Sequence, residues 1–321
     1  MKILLAGGFS GGHIIPLIRL ADYLKTKDDS LSFTYIGFKG YLEEKIAKEN
    51  NIDFIPVIRK KGKYSFYFDS NIYKSICKLN LNFDALITTG GGHSFHILKY
   101  CKNNKIPYYI IEENTKMGLV NWLYSFKAQT IYSPFNFKRK NYLKAIHPSA
   151  LVIKKELPLK YDYLFLGGSL GSDPIAKIAI KMRNMPYKSA LLCGNKYDKY
   201  KKYQNKNLDV LPYQKLDDLY DMSDLVITRA GASTLFELLA KKKKMIIIPS
   251  KKTRGNHQVL NAIYFQENDL AYYLDEKDVS IDNIIELSKQ SFSLIFKAQE
   301  KFILSLPINP YEEIIKRTPK K

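Results

Sequence analysis

Two apolar segments of this chain each run directly into a glycine-rich turn, and this repeated opening limits the folds available to it. Residues 2–6 lead into Gly-Gly-Phe-Ser-Gly-Gly at 7–12, and residues 163–166 lead into Gly-Gly-Ser-Leu-Gly-Ser at 167–172. A short apolar run before such a turn is typical of a buried parallel strand, and the turn then starts a helix. The sequence therefore predicts two similar Rossmann-like α/β domains.

Short apolar runs alternate with longer amphipathic segments along the rest of the chain. Runs that are apolar on both faces are typical of parallel strands covered by helices, and the alternation favours α/β units over a sandwich. The predicted strands are residues 2–6, 32–36, 85–88, 108–111, 130–132, 151–153, 163–166, 190–193, 209–211, 225–228 and 245–249. The predicted helices are residues 14–25, 41–50, 94–104, 173–183, 233–241 and 256–268.

A polar, proline-containing stretch at residues 154–160 separates the two openings and has the composition of a linker. We therefore place an N-terminal domain at 1–157 and a C-terminal domain at 158–321, with the last helix free to pack back on the N-terminal domain. Ligand is expected in the cleft between the domains, facing the carboxyl ends of the parallel strands.

The sequence also argues against membrane-spanning and secreted classes. No apolar stretch is long enough to span a bilayer, and the first apolar run leads into a glycine turn instead of a signal-peptide cleavage site. Cys77, Cys101 and Cys193 are far apart and odd in number, which excludes a disulfide framework and indicates a reducing compartment. We expect a soluble, cytoplasmic protein.

The charge balance is strongly basic, with 51 Lys+Arg against 31 Asp+Glu and a net charge of +20. Such a balance fits nucleic acid, an anionic membrane surface or acidic ligands as partners, although a lysine bias also arises from an A/T-rich genome. Residues 59–68 and 135–140 mix cations with aromatic rings. This mixture suits an anionic bilayer or single-stranded nucleic acid, and it also fits a solvated loop.

His13 ends the first glycine turn. Glycines let the backbone approach a ligand closely, and the helix that follows offers free N–H groups. The spacing departs from the dinucleotide fingerprint, which requires G-x-G-x-x-G and a ribose-binding acid. A histidine here suits a general base that faces the cleft, and the alternative is a capping or hydrogen-bonding role.

Glu112 and Glu113 directly follow an apolar predicted strand, and Asn114, Gly118 and Asn121 come after them. Paired acids at the carboxyl end of a strand suit acid–base chemistry or the binding of hydroxyl groups. They could equally cap the next helix.

A turn of small residues joins the predicted strand 225–228 to a helix. The N–H groups of Ala232, Ser233 and Thr234 could hold a pyrophosphate at the helix N-terminus. Glu237 lies one helical turn beyond Ser233 and could accept hydrogen bonds from ribose hydroxyls. The alternative is a helix start that resembles a capping box and has a solvated glutamate.

Amides follow the next predicted strand, after a basic loop at residues 251–254. Gln258 and Asn261 share one helix face, where their amides suit sugar hydroxyls. Ordinary helix polarity gives the same pattern.

Signals for a metal or for nucleophilic catalysis are poor. His93 and His96 form an H-x-x-H pair without a cysteine or acid cluster near them in sequence. No Asp-x-Asp pair, Walker A motif or G-x-S-x-G turn occurs. We therefore expect that the protein requires no cofactor. A divalent cation that is not essential would still be compatible with the sequence.

Taken in order, these motifs resemble the MurG family of UDP-GlcNAc:lipid I N-acetylglucosaminyltransferases, which have the GT-B fold. The segments at 7–13, 111–121, 167–172, 229–237 and 255–262 are similar to that family's GGTGGH, HEQN…G..N, GGSQGA, R-S-G-A-x-T-x-x-E and sugar-binding Gln motifs. The chain departs from the family at Leu170, where the family has Gln, and at Ala230, where it has Ser. The turn at residues 90–96 also lacks the proline that follows the family's Gly-Gly loop.

The resemblance implies an inverting transfer of GlcNAc from UDP-GlcNAc to the 4-hydroxyl of lipid-linked MurNAc-pentapeptide in peptidoglycan synthesis. It implies a donor-binding C-terminal domain, and an N-terminal domain that binds the acceptor at the inner face of the cell membrane. No nucleic-acid partner is expected. The implied catalytic residues are His13 and Glu112. The implied donor-binding residues are Ser10, Gly11, Gly12, Asn121, Ser169, Arg229, Ala232, Ser233, Thr234, Glu237 and Gln258, and the implied acceptor-binding residues are Gly91, Gly92 and Asn114.

Three other functions fit less of the pattern. Another GT-B enzyme would share the donor motifs and differ in its acceptor. A UDP-GlcNAc 2-epimerase of the same fold would need carboxylates around the donor sugar, which these motifs do not supply. A basic nucleic-acid-binding protein would show salt-sensitive oligonucleotide binding and no affinity for UDP.

Overall fold

The computed structural model describes residues 1–8, 10–58, 69–212, 214 and 216–319. The chain divides into two compact units, of which the first comprises Met1–Leu151 with Leu306–Lys321 and the second Val152–Ser305. The division falls at Leu151/Val152 and not at the predicted 157/158. Among the described helices, none has the length and apolar content that crossing a membrane requires.

The first unit is built on a parallel seven-stranded sheet with the order β3-β2-β1-β4-β5-β6-β7. Its elements are β1 Lys2–Ala6, α1 Gly11–Lys25, β2 Ser32–Phe38, α2 Leu42–Glu49, β3 Asp53–Val57, α3 Ser70–Cys77, β4 Ala85–Thr88, α4 Ser94–Asn103, β5 Tyr108–Ile111, α5 Leu119–Tyr124, β6 Thr130–Ser133, β7 Tyr142–Lys144 and a 3₁₀ helix at Pro148–Ala150. The central strands β1, β4 and β5 are almost wholly buried because helices cover both faces.

The second unit is built on a parallel six-stranded sheet with the order β10-β9-β8-β11-β12-β13. Its elements are β8 Tyr161–Leu166, α6 Asp173–Met182, β9 Ser189–Leu192, α7 Tyr197–Tyr200, β10 Leu208–Leu211, α8 Asp217–Asp221, β11 Ser223–Thr228, α9 Ala232–Ala240, β12 Lys244–Ile247, α10 His257–Glu267, β13 Tyr272–Tyr273, α11 Ile281–Lys289 and α12 Ser293–Leu304. Both units therefore confirm the predicted Rossmann-like α/β class.

The strand order reverses between β1 and β4 in the first sheet and between β8 and β11 in the second. At such a reversal the turns after the two adjacent strands open side by side at the carboxyl edge of the sheet. The glycine turn after β1 therefore lies beside the turn after β4, and the glycine turn after β8 lies beside the turn after β11. The fold thus groups the predicted motifs within each unit.

The predicted strand at 151–153 is wrong. Ile153 is 81% exposed, and this part of the chain passes from one unit to the other without a neighbouring strand. A buried ion pair holds it to the second unit instead. Nζ of Lys241 lies 2.6 Å from Oδ2 of Asp221 and donates to the Ile153 carbonyl at 2.9 Å, and the same Asp221 oxygen accepts from the Lys155 N–H at 3.1 Å. These bonds place the whole polar stretch 154–160 in the second unit, which begins at Val152.

The C-terminal segment Leu306–Lys321 returns to the first unit, where it contains a 3₁₀ helix at Asn309–Glu312 and α13 at Glu313–Arg317. Its anchor is Tyr311, which is fully buried. The Tyr311 ring packs against Tyr132 with centroids 4.9 Å apart and ring planes tilted by 44°, and its hydroxyl donates to the Ile146 carbonyl at 2.6 Å. The Ile146 N–H donates to the Pro307 carbonyl at 2.8 Å. Both backbone groups of Ile146 are thus held by this segment.

Candidate active site

The turn after β1 becomes the N-terminus of α1. Ser10 is the N-cap residue with an extended backbone, and its carbonyl accepts a hydrogen bond from the His13 N–H at 3.1 Å. α1 therefore begins at Gly11, earlier than the predicted residue 14. Gly11, Gly12 and His13 form its first turn, and the dipole and backbone N–H groups of such a turn favour an anion.

His13 pairs with Glu113, which lies just beyond the end of β5. Nδ1 of His13 is hydrogen-bonded to Oε2 of Glu113, and the glutamate side chain is 4% exposed against 32% for the histidine. Burial alone would lower the pKa of His13, but the charge and hydrogen bond of Glu113, with the charge of Glu112, raise it above its usual value. Because Nδ1 faces the carboxylate, Nε2 of the neutral ring is the atom that can accept a proton. This is the arrangement of an oriented general base.

Glu112 lies beside this pair but directs its carboxylate into the turn after β5. Oε1 accepts from the Asn114 N–H at 3.0 Å, and Oε2 accepts from the Gly118 N–H at 3.0 Å and from Asn121 Nδ2 at 2.8 Å. Burial raises the pKa of Glu112, and these donors oppose the rise. The geometry therefore favours a loop-organising role for Glu112 over the predicted catalytic one. It also makes Asn121, predicted to contact the donor, a buried partner of Glu112.

The turn after β4 supplies the predicted acceptor glycines. Gly90 adopts φ +83°, and a Cβ there would lie 2.1 Å from Oδ1 of Asn121, so only glycine fits. Gly91 and Gly92 lead into α4, where the Gly91 carbonyl accepts from the Ser94 N–H at 3.1 Å. Both glycines are partly exposed. Their role in binding the acceptor stays a prediction.

Both histidines of the H-x-x-H pair are packed inside the first unit. Nε2 of His93 lies 3.1 Å from Oε1 of the buried Glu43, and its ring packs on Phe38 with centroids 4.5 Å apart. His96 is buried and meets Phe95 edge-on. Within the described part of the chain, no group of three or more His, Cys, Asp or Glu residues could hold a metal ion.

In the second unit, the turn after β11 leads into α9. Gly231 is the N-cap residue with an extended backbone, and Ala232, Ser233 and Thr234 form the first turn, which contains no acidic residue. The N–H groups of such a turn are suited to phosphate oxygens. The structure thus places the three residues predicted for the pyrophosphate together at one helix N-terminus.

Glu237 follows one turn later on α9. Its side chain is buried, and Oε2 accepts a hydrogen bond from the hydroxyl of Tyr220 on α8 at 2.8 Å. The alternative of a solvated glutamate is therefore wrong. A carboxylate fixed in this way, on the same helix face as Ser233, is placed to accept hydrogen bonds from a nucleoside bound at the helix N-terminus.

Arg229 donates hydrogen bonds to residues of three neighbouring turns. Nε donates to Ser172 Oγ at 2.9 Å, and Nη1 donates to the Ile248 carbonyl at 2.9 Å and to Glu276 Oε2 at 3.0 Å. Its side chain is 11% exposed. The acidic partner offsets its charge, so this geometry favours a scaffolding role over the predicted role in donor binding.

The two amides of α10 have different surroundings. Gln258 is half-buried, and its Oε1 accepts from the Ser250 N–H at 3.0 Å, so the turn after β12 orients it. Asn261 is fully buried, and its Nδ2 donates to the Ala230 carbonyl at 3.3 Å. Burial removes Asn261 from the sugar-binding pair predicted above. The sugar contact of Gln258 stays a prediction.

The glycine turn after β8 packs closely against the turn after β9. Gly171 adopts φ +73°, and a Cβ there would lie 2.3 Å from the Cys193 carbonyl oxygen. Ser169, predicted to contact the donor, is half-buried in this turn.

In the basic loop at residues 251–254, Nζ of Lys251 lies 2.7 Å from Oδ2 of Asp275. The side chain of Arg254 lies outside the described part.

The sequence missed two residues around His13. Glu113 was visible as one of two paired acids, but only the folded chain shows that it, and not Glu112, holds the histidine. The other is His147, whose Nε2 lies 3.6 Å from Oε1 of Glu113. No sequence motif marks His147, because it meets Glu113 only through the fold.

Comparison with known proteins identifies the family to which this chain belongs. The family models described as the glycosyltransferase family 28 N-terminal and C-terminal domains match residues 3–133 and 163–301. The UDP-N-acetylglucosamine--N-acetylmuramyl-(pentapeptide) pyrophosphoryl-undecaprenol N-acetylglucosamine transferase of Thermosipho africanus (strain TCF52B) is 31% identical, over 90% of this chain and 92% of that protein. This chain belongs to the MurG family. The transferase of the same name from Finegoldia magna is 30% identical, over 89% of this chain and 88% of that protein.

Solved structures show the same fold. Acinetobacter baumannii MurG matches with a TM-score of 0.70 and 19% identity, over 99% of this chain and 98% of that one. The glycosyltransferase of kitacinnamycin matches with a TM-score of 0.73 and 14% identity, over 99% of each chain. The predicted GT-B fold is therefore confirmed.

This chain departs from the MurG family at the residue that holds His13. Glu113 stands where the family's HEQN motif has Gln.

Proposed function

We propose that this chain transfers GlcNAc from UDP-GlcNAc to the 4-hydroxyl of undecaprenyl-pyrophosphoryl-MurNAc-pentapeptide (lipid I), with inversion at the anomeric carbon. The names of its relatives supply the donor and the lipid-linked acceptor. The observation that carries the mechanism is the partly exposed His13, whose Nδ1 is held by the buried Glu113.

In the proposed step, Nε2 of His13 takes the proton of the acceptor 4-hydroxyl. The oxygen forms a bond to the anomeric carbon of GlcNAc from the face opposite UDP, and the bond from that carbon to the UDP oxygen breaks with its electron pair on UDP. Glu113 stabilises the imidazolium that forms on His13. Attack from the opposite face inverts the anomeric configuration.

The leaving pyrophosphate gains negative charge as its bond to the sugar breaks. We assign its stabilisation to the first turn of α9 at Ala232, Ser233 and Thr234, because Arg229 already pairs with Glu276. This assignment calls for no resident cofactor. Transfer measured with EDTA present tests that part of the proposal.

UDP should raise the melting temperature of the wild-type protein, as a ligand bound only to the folded state does. Glu237→Ala should weaken UDP binding by about 10- to 100-fold, the worth of a hydrogen bond to a charged group. Isothermal titration with UDP measures the change. Tyr220→Phe is the matched control, because it removes the same hydroxyl–carboxylate bond but keeps the carboxylate. Equal UDP affinity in wild type and Glu237→Ala would refute the assignment of Glu237 to the ribose.

We further propose that the first unit docks on the anionic inner face of the membrane through α5 and Phe126, two residues beyond its end. Its exposed side chains, which we call the α5 surface, are Leu119, Trp122, Leu123 and Phe126. The Arg139 guanidinium lies over the Phe126 ring, with its Cζ 4.3 Å from the ring centre. The exposed lysines nearest in sequence are Lys116, Lys127, Lys138 and Lys140. Apolar rings bordered by cations are typical of surfaces that bind anionic bilayers.

This surface revises the two basic–aromatic segments predicted from sequence. Phe135 of the segment 135–140 is buried, so it cannot enter a bilayer, whereas Arg139 of that segment borders the α5 surface. The segment 59–68 lies outside the described residues.

Trp122 is the chain's single tryptophan, so its fluorescence reports on the α5 surface directly. Vesicles containing phosphatidylglycerol should shift its emission to the blue, and a single-stranded oligonucleotide should not. Leu119→Ser with Leu123→Ser should weaken vesicle binding by roughly tenfold or more, given the transfer free energy of two leucines. Leu294→Ser with Leu304→Ser, which are also exposed, is the matched control. An unshifted emission at saturating vesicle would rule out docking through α5.

A further inference from the structure

His147 lies behind Glu113 in the interior of the first unit. It is fully buried, and its Nδ1 accepts a hydrogen bond from the Ser149 N–H at 3.1 Å. Burial, with the charges of Arg19 and His13, lowers the pKa of His147 to about 3, so the ring is neutral. A neutral ring whose Nδ1 is an acceptor carries its hydrogen on Nε2.

That Nε2–H faces the carboxylate of Glu113. Nε2 of His147 lies 3.6 Å from Oε1 of Glu113, while Oε2 of the same carboxylate is bonded to Nδ1 of His13. The 3.6 Å separation is longer than a hydrogen bond, so the interaction is between the ring N–H dipole and the carboxylate charge. One oxygen of Glu113 thus faces each histidine.

The position of His147 depends on distant parts of the chain. The residue before it, Ile146, is held through its N–H by Pro307 and through its carbonyl by Tyr311, both in the C-terminal segment. On the other side, the guanidinium of Arg19 on α1 donates to the Ser149 carbonyl. The helix that carries His13 and the C-terminal segment therefore both fix the backbone around His147.

We propose that His147 is a positioning residue for the transfer reaction. It directs Nε2–H at Oε1 of Glu113 and so keeps Oε2 on Nδ1 of His13, which leaves Nε2 of His13 to accept the acceptor's proton. Tyr311 supports it by holding Ile146. This inference rests on the proposed role of His13 as the base.

A double-mutant cycle with Glu113 tests it. His147→Phe keeps a ring but removes the N–H, and it should lower kcat by about tenfold with an unchanged KM for UDP-GlcNAc. In a Glu113→Gln background the same substitution should have no further effect, because the group through which it acts is gone. His147→Gln, which can return an N–H toward Glu113, should restore part of the lost kcat.

Two further variants keep the test decisive. His96→Phe is the matched control, because His96 is a buried histidine of the same unit outside this cluster; its effect should be the same in both Glu113 backgrounds. If His147→Phe does not fold, Tyr311→Phe gives the same readout, a smaller kcat loss that disappears with Glu113→Gln. Additive losses from the position 147 or 311 variants and Glu113→Gln would overturn the inference. An active His13→Ala would instead overturn the proposed base itself.

Discussion

Replacing His13 by alanine lowers kcat for GlcNAc transfer by about 10²- to 10⁴-fold, the usual worth of a positioned general base. The loss falls on kcat because the imidazole takes up the acceptor's proton only as the new bond forms. UDP should bind the variant almost as tightly as the wild type, since the predicted ribose and pyrophosphate contacts lie on α9 of the second unit. Steady-state kinetics and a UDP titration on the same preparation measure both quantities.

Lys25→Ala is the matched control for His13→Ala, because Lys25 is exposed at the opposite end of the same helix. It should leave kcat within about twofold of the wild type, as surface substitutions usually do. Parallel losses of kcat and UDP affinity in His13→Ala would remove His13 as the base and indicate a role in donor binding.

Replacing Glu113 by glutamine should change both the rate and its pH dependence. The base must be neutral to act, so kcat/KM falls as the pH drops through the raised pKa of His13. Without the carboxylate charge, burial is left as the main influence and lowers that pKa. The acidic limb of the profile should therefore move to lower pH.

The rate on the high-pH plateau should fall by about 10- to 100-fold in the same variant. The glutamine amide cannot stabilise the imidazolium as a carboxylate does, and a hydrogen bond to a charged group is worth about 1.5–3 kcal/mol. Glu112→Gln is the matched control, since Glu112 bonds to loop donors instead of His13. Its acidic limb should move much less. An acidic limb that moves to higher pH in Glu113→Gln would contradict the pairing.

The sequence predicted the buried strands well because parallel strands covered on both faces read as unbroken apolar runs. β1, β4 and β5 were predicted with their observed bounds. β3 was missed because it mixes Asp53 and Pro56 with apolar residues and is only partly buried. The short strands β7 and β13 were missed for the same reason, since none of their residues is fully buried.

The site was predictable where a motif marks the backbone, and less so where side chains meet across the fold. The turns around His13 and Ser233 follow from glycines and small residues after strands. The choice between Glu112 and Glu113 depends on which carboxylate meets a histidine that is 100 residues away in sequence. The resemblance implied that Arg229 binds the donor, yet only the folded chain shows Glu276 beside it.

The most direct test of the central claim is transfer of labelled GlcNAc from UDP-GlcNAc to a lipid I analogue, with and without EDTA. The account predicts label in the lipid product with inverted anomeric configuration, UDP released in equal amount, the same rate in EDTA, and a rate reduced by His13→Ala. Consumption of UDP-GlcNAc without label in the lipid, or its conversion to the 2-epimer, would contradict it.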